Sequence, residues 1–244
     1  MSKSNKNAYA GMNTEQLIKN SIGDHPDVIK KLKDKFNIKG SFENASSSGI
    51  YRDNKADIRI NFTCGHYLDV NIKGFKKGGF NQLTRTSVPN FCENFNIDIE
   101  NEKELENIII TKAKNPRGTS LFSEEELKKW NSFFVKNAKR LLIWGFSKKP
   151  SREILVLYSN HNSVVKIYAM QDVLNKLPTN ITFTKGGFNI GDSISFQRKG
   201  GNGSLRSKYH KTDIKHPGNN IQLKVKPSKL IDTLETVKLA EYII

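Results

Sequence analysis

Cysteine is scarce in this chain, long apolar runs are missing, and acidic residues are outnumbered. The two cysteines, Cys64 and Cys92, form neither a zinc-ligand pattern nor a disulfide framework, which makes a reducing cytoplasm the expected compartment. Apolar stretches such as Leu141-Leu142-Ile143-Trp144 fall far short of a spanning helix, so no membrane partner is expected. The opening residues, Met1-Ser2-Lys3-Ser4-Asn5-Lys6-Asn7, are basic with no apolar segment behind them, so a secretory signal is not expected either. The histidines lack metal-ligand spacing, and no internal repeat is visible.

Positive charge is what the chain has in excess. Lys and Arg number 40 against 24 Asp and Glu, a net charge of +16 over 244 residues. Such a balance favours a polyanionic partner, because neutralising a dense phosphate array releases counterions, but alone it does not separate DNA from RNA or an acidic membrane face. The charge concentrates between Arg198 and Lys229, where nine Lys or Arg residues stand against one acid, Asp213. The length is sufficient to bury a core without a partner chain. Nothing in the sequence decides between monomer and dimer.

Hydrophobic periodicity gives a coarse map. Asn13 or Thr14 could cap a first helix through Leu17 and Ile18. A second helix begins at Pro26 and presents Val28, Ile29, Leu32 and Phe36, with Gly40 ending it. Residues 41–54 read as a loop, 56–62 and 66–73 as a strand hairpin, and the basic, glycine-rich 74–80 as the start of a long connection. Ser123 and Glu126 form a capping box before Leu127, Trp130, Phe134, Ala138 and Leu141, which recur at helical period. Ile154–Tyr158 reads as a buried central strand with Val164–Tyr168 as its partner, followed by a short helix to Leu177. Strands are expected at 181–184, 193–197 and 221–225, and a final helix from Pro227.

The chemistry-bearing pattern is Lys55-Ala56-Asp57-Ile58-Arg59-Ile60 followed by Leu68-Asp69-Val70-Asn71-Ile72-Lys73. Strand side chains alternate, so Asp69, Asn71 and Lys73 share the face opposite Leu68, Val70 and Ile72. Phosphodiester hydrolysis needs oxygen ligands for a hard divalent cation, an activated water and positive charge beside the transition state. Asp57, Asn71 and Lys73 carry those three kinds of group. The plainer alternative is a solvated hairpin face. Asp69 is either an extra ligand or a salt-bridge partner.

Lys-Ala-Asp followed by Asn-Ile-Lys on the next strand resembles the active-site motif of the PD-(D/E)XK nucleases, in the amide variant of the MspI and HinPI type of restriction endonucleases. Further blocks resemble that group in the same order: Gly79-Phe80-Asn81-Gln82, then Ile194-Ser195-Phe196-Gln197-Arg198-Lys199-Gly200-Gly201, then Ile221-Gln222-Leu223-Lys224-Val225-Lys226-Pro227. The Asp57 to Asn71 spacing departs from the group, and residues 204–219 look like an insertion.

The resemblance implies a type II restriction endonuclease that uses Mg2+ to cut double-stranded DNA at a short palindromic, GC-containing site. Asp57, Asn71 and Lys73 would be catalytic. Asp57 and Asn71 would hold the metal, with Asp69 and the helical Glu15 as secondary candidates, a solvated helix residue being the alternative for Glu15. Lys76, Lys77, Phe80, Asn81, Gln82, Gln197, Arg198, Lys199 and Lys224 are the expected DNA contacts. Gln197 and Arg198 are the leading base readers, since Arg bonds guanine O6 and N7 together. Phe80 would be a wedge between base steps or an anchor in the core. The expected fold is α/β, a central mixed sheet flanked by helices in a PD-(D/E)XK-like core. One nuclease domain is expected, with its catalytic core over about residues 1–178 and a basic recognition region over about 179–244. A structure-selective or repair nuclease and a non-catalytic nucleic-acid-binding protein are the competing readings.

Overall fold

The computed structural model describes residues 6–47, 56–75, 79–201 and 208–244, with side chains from Gly11 onward. In chain order, helices α1 (Lys6–Ser21) and α2 (Pro26–Phe36) precede strands β1 (Phe42–Ser47), β2 (Ile58–Phe62), β3 (Tyr67–Phe75) and β4 (Asn81–Thr86). Helices α3 (Val88–Phe95), α4 (Ile99–Lys114) and α5 (Glu124–Phe146) lead to β5 (Glu153–Ser159), β6 (Val164–Ala169) and α6 (Met170–Lys176). Strands β7 (Ile181–Thr184), β8 (Gly187–Ile190), β9 (Ile194–Arg198) and β10 (Ile221–Val225) follow, and α7 (Pro227–Leu234) and β11 (Ala240–Ile243) close the chain.

These elements form two compact units with interleaved segments. The first comprises Met1–Asn81, Phe146–Leu177 and Pro227–Ile244; the second comprises Gln82–Gly145 and Pro178–Lys226. The division expected near residue 178 coincides with one crossing between units, but the last 18 residues return to the first unit. They do so because β11 adds to the edge of its sheet, Ala240 pairing with Ile167.

The first unit holds a six-stranded sheet in the order β1-β2-β3-β5-β6-β11. It is mixed: β3 and β5 run parallel, and the other pairs antiparallel. Alternation sends Ile58, Ile60, Leu68, Val70 and Ile72 into one core with Ile18 of α1, Ile22 in the turn after it, and Val28, Ile29 and Leu32 of α2. Each such side chain contributes ~1.5–3 kcal/mol on full burial. Pro26 opens α2 at its first turn, and Asn37, not Gly40, closes it in the left-handed region at φ 51°. Gly40 instead admits Cys64, since a Cβ there would lie 2.7 Å from the Cys64 backbone nitrogen.

A five-stranded sheet in the order β4-β10-β9-β8-β7 organises the second unit. Its core is aromatic. Phe134 of α5 lies 4.5 Å from Phe188 and 5.2 Å from Phe196, whose rings stack on each other at 4.5 Å. The capping box that starts α5 is formed, with Ser123 and Glu126 exchanging backbone-to-side-chain bonds.

Five further features depart from the sequence expectation. Helix α1 begins seven or eight residues before the expected cap, and Thr14 is buried within it instead of capping its start. Part of the expected loop at 41–54 pairs as β1 with β2. The long connection contains β4, α3 and α4, the two helices being started by Ser87 and Asp98, whose side chains accept the Asn90 and Asn101 amides. Strand β8 opens at Gly187, where φ is 148° and a Cβ would fall 2.1 Å from the Phe196 carbonyl oxygen. Strand β11 is the fifth. Among the described residues no helix is long and apolar enough to cross a membrane.

Candidate functional site

The polar face of β3 is in the first unit. Register pairs Arg59 with Asp69 and Ile58 with Val70, which carries Asp57 toward the level of Asn71. Asp57 stands just before β2, its N–H donating to the Val70 carbonyl at 2.8 Å. Its Oδ2 accepts the Ile72 N–H at 2.6 Å and lies 3.5 Å from Lys73 Nζ, which also donates to the Ile72 carbonyl at 2.9 Å. The Asp57 and Lys73 side chains remain 25% and 17% exposed, enough to meet a substrate.

Helix α1 brings a second carboxylate to this pair. Thr14 and Ile18 form its buried stripe, which Ile22 continues in the turn just beyond, and a Cβ added to Gly74 of β3 would come within 3.0 Å of Thr14 Oγ1, so the helix seats closely on the strand. Glu15 follows Thr14 and is half-buried. Burial and then the Asp57 carboxylate push the Glu15 carboxyl above its ordinary range, while the Lys73 ammonium pulls it down. The structure therefore brings together Glu15, Asp57 and Lys73.

Asn71 and Asp69 point the same way along β3 but meet different partners. Asp69 is 2% exposed, and Arg59 Nε donates to it at 2.8 Å. Arg59 also stacks over Tyr67, 3.8 Å from the ring centroid. This is the ion-pair arrangement of the two open for Asp69. Asn71, 4% exposed, donates through Nδ2 to Glu153 Oε2 at 3.4 Å. Among the described residues no group of three or more His, Cys, Asp or Glu is arranged to hold a metal. An oxygen donor set here is two carboxylates, Glu15 and Asp57, with the Asn71 amide. With Asp57 close enough to help hold the Glu15 carboxyl above its ordinary range, the two carboxylates fit a hard cation, which relieves their repulsion.

In the loop after β3, Lys76 and Lys77 lie outside the described residues. Phe80 is 59% exposed, so it is not a core anchor. Asn81 Nδ2 donates to the Gly74 carbonyl at 2.9 Å and so pins the two ends of that loop, whereas Gln82 is exposed on β4.

The remaining expected DNA contacts fall in the second unit, and β9 separates the two leading readers. Ile194, Phe196 and Arg198 face one way and Ser195 and Gln197 the other. Arg198 is 9% exposed, and its Nε donates to Asn219 Oδ1 at 2.8 Å. Asn219 is itself held by the Lys211 and Asp213 carbonyls at 3.0 and 2.6 Å. Burial pulls the Arg198 pKa down. Gln197 pairs with Gln222, and Lys224 with Ser195, so Gln197 and Lys224 share the face opposite the aromatic core. Burial and then Arg85, Lys224 and Arg198 lower the Lys199 pKa, so these cations crowd together.

Three residues at these sites escaped the sequence reading: Glu153, Arg59 and Arg85. An acid directly before the buried run Ile154–Tyr158 was the available signal for Glu153. For Arg59 it was the alternation that places it opposite Asp69; Arg85 offered no local signal beyond its charge.

No protein-family model and no curated protein sequence matches this chain. Among solved structures, a crystal structure of the restriction endonuclease MspI in complex with its cognate DNA matches with a TM-score of 0.50 at 17% identity, covering 82% of this chain and 77% of that one. The fold is restriction-endonuclease-like. At that identity the likeness concerns architecture, a mixed α/β arrangement of sheets flanked by helices, and leaves the chemistry to the residues described above.

Proposed function

We propose that this chain is a type II restriction endonuclease that hydrolyses phosphodiester bonds of double-stranded DNA at a short sequence, with Mg2+ as cofactor. The observation that carries the reading is the convergence of Asp57, Lys73 and Glu15 at β3 within a restriction-endonuclease-like fold. Glu15, Asp57 and the Asn71 amide oxygen would hold the cation. When bound, Mg2+ supplies Lewis acidity and lowers the pKa of a coordinated water. The Lys73 ammonium, fixed by Asp57 and the Ile72 carbonyl, orients the attacking water and offsets the charge gathering on the phosphate oxygens. Water adds at phosphorus, one phosphorus–oxygen bond breaks, and the departing oxygen takes up a proton. An amide adds no charge, so weak cation binding in the absence of DNA is expected.

In the second unit, Lys199, Lys224 and Arg85 offer phosphate contacts, and Gln197, on the same face as Lys224, offers a base contact. Arg198 supports that face from the buried side through Asn219. Exposed Phe80 and Gln82 and the pinned Asn81, at the start of β4, are proposed contacts, together with Lys76 and Lys77.

Digestion of a sequenced, unmethylated plasmid with magnesium or EDTA tests the reading. Discrete fragments sharing a terminal sequence, lost in EDTA, are expected. Random nicking would replace sequence-specific cutting with a repair-type activity, and intact plasmid that still binds the protein would point to a non-catalytic binder.

A further inference from the structure

Asn71 is the donor whose role depends on orientation. A side-chain amide presents either its oxygen or its NH2 group, and only the oxygen can ligate a hard cation. Its neighbour across the parallel β3–β5 pair decides which. Asn71 registers with Leu155, and Glu153 registers with Asp69, so Glu153 sits one alternation away on the same face. Glu153 is 1% exposed and accepts three donors: Oε1 accepts the N–H groups of Lys148 and Lys149 at 3.1 and 2.8 Å, and Oε2 accepts Asn71 Nδ2 at 3.4 Å. Two of those donors belong to the backbone, so the carboxylate is held in place independently of Asn71. An acceptor so fixed demands NH2 from the amide, which turns the Asn71 oxygen away from β5.

We propose that Glu153 is a positioning residue that locks the Asn71 side chain with its oxygen presented for cation binding. This rests on the reading of Asn71 as a ligand given under Proposed function. Glu153→Gln keeps the size and one acceptor oxygen but can offer NH2 to Asn71, which favours the flipped amide. Outer partners of metal ligands characteristically alter affinity by ~10–100-fold when changed.

Mn2+ is titrated into the full chain by electron paramagnetic resonance, with thermal melts alongside. Affinity at least tenfold weaker in Glu153→Gln is expected, with recovery in Glu153→Gln/Asn71→Asp, where a carboxylate accepts the new NH2 and still offers an oxygen. Unchanged Mn2+ affinity in Asn71→Leu would overturn the ligand reading and this inference with it. Weakened binding in Asn71→Leu beside unchanged binding in Glu153→Gln would overturn the Glu153 role alone, as would a fall in Tm without a fall in affinity. Should Glu153→Gln not fold, the unaltered chain decides by nuclear magnetic resonance. Slow exchange of the Asn71 Nδ2 protons and a Mg2+-dependent shift of its Cγ carbonyl support the lock, and fast exchange with no shift overturns it.

Discussion

The polar face of β3 and the polar face of β9 and β10 handle charge in opposite ways. On β3, acids and cations alternate: Asp57 meets Lys73, Asp69 meets Arg59, and Glu15 feels both members of the first pair. Around β9 and β10, Lys199 is surrounded by Arg85, Lys224 and Arg198, and burial and then this crowding lower its pKa. A face with paired charges is built to hold one ion and one reacting group in place. A face of like charges is held at a cost that an incoming polyanion relieves. In a chain with 40 basic and 24 acidic residues, the acids gathered near β3 are therefore more informative than the basic excess itself.

Exchange of the two behaviours would break this comparison, so the largest expected effect separates them. Lys73→Ala should lower cleavage by about 10²–10³-fold while metal-free binding to duplex DNA persists, the scale expected when one group stabilising transition-state charge is removed. Lys224→Ala should instead weaken duplex binding across sequences and reduce the salt slope of binding by about 1. Cleavage rates from single-turnover kinetics and affinities across a salt series measure both. Loss of binding in Lys73→Ala equal to its loss of cleavage would show that β3 is a binding face as well, and the contrast would fail.

Legibility in the sequence follows the same division. The placement of Asp57, Asn71 and Lys73 relative to one another was legible because strand alternation and hairpin register are local rules that act over a few residues. The buried runs of β5, β10 and the long α5 were legible for the same reason. Glu15 was uncertain because its place depends on α1 extending past Asn13 and seating Thr14 against Gly74, a contact between distant residues. Glu153 was invisible as a partner of Asn71 because the parallel pairing of β3 with β5 spans β4 and three helices in sequence. Arg198 shows what a motif leaves out: the resemblance suggested a base reader, and only the alternation along β9 and the distant Asn219 show that the side chain lies on the buried side. Helices α3 and α4 were missed although both carried local signals, the caps at Ser87 and Asp98 and, in α3, Val88, Phe91, Cys92 and Phe95 at helical spacing.

A pH series sharpens the comparison at smaller amplitude. Lys199 has a depressed pKa in the folded chain, so between that value and the ordinary lysine pKa of ~10.4 the unfolded chain binds more protons, and stability should rise with pH in this window. Binding to DNA should move the opposite way, since the same deprotonation removes a phosphate partner. Thermal melts and affinities from neutral pH to ~10 should thus diverge in sign, and Lys199→Gln should flatten the part of each that Lys199 contributes. Parallel changes in stability and binding would show that Lys199 is not part of the phosphate-facing cluster.

The smallest effect uses the two cysteines, which report on one unit each. Cys64 is exposed in the turn between β2 and β3, and Cys92 is buried in α3, where burial and then Glu102, Glu106 and Asp98 push its thiol up to about 12. A thiol-reactive probe attacks the thiolate, so at neutral pH the native chain should take label at Cys64 and leave Cys92 untouched until the second unit opens. Labelling of Cys92 with rising denaturant, set beside the loss of the first unit's secondary structure, measures whether the units unfold together. Coincident midpoints would mean that the paired-charge face and the like-charge face share one cooperative transition, whereas Cys92 exposure at lower denaturant would mean that the crowded cations reside in the less stable unit. Duplex DNA should then delay Cys92 labelling, by relieving repulsion around Lys199, more than it alters labelling of Cys64.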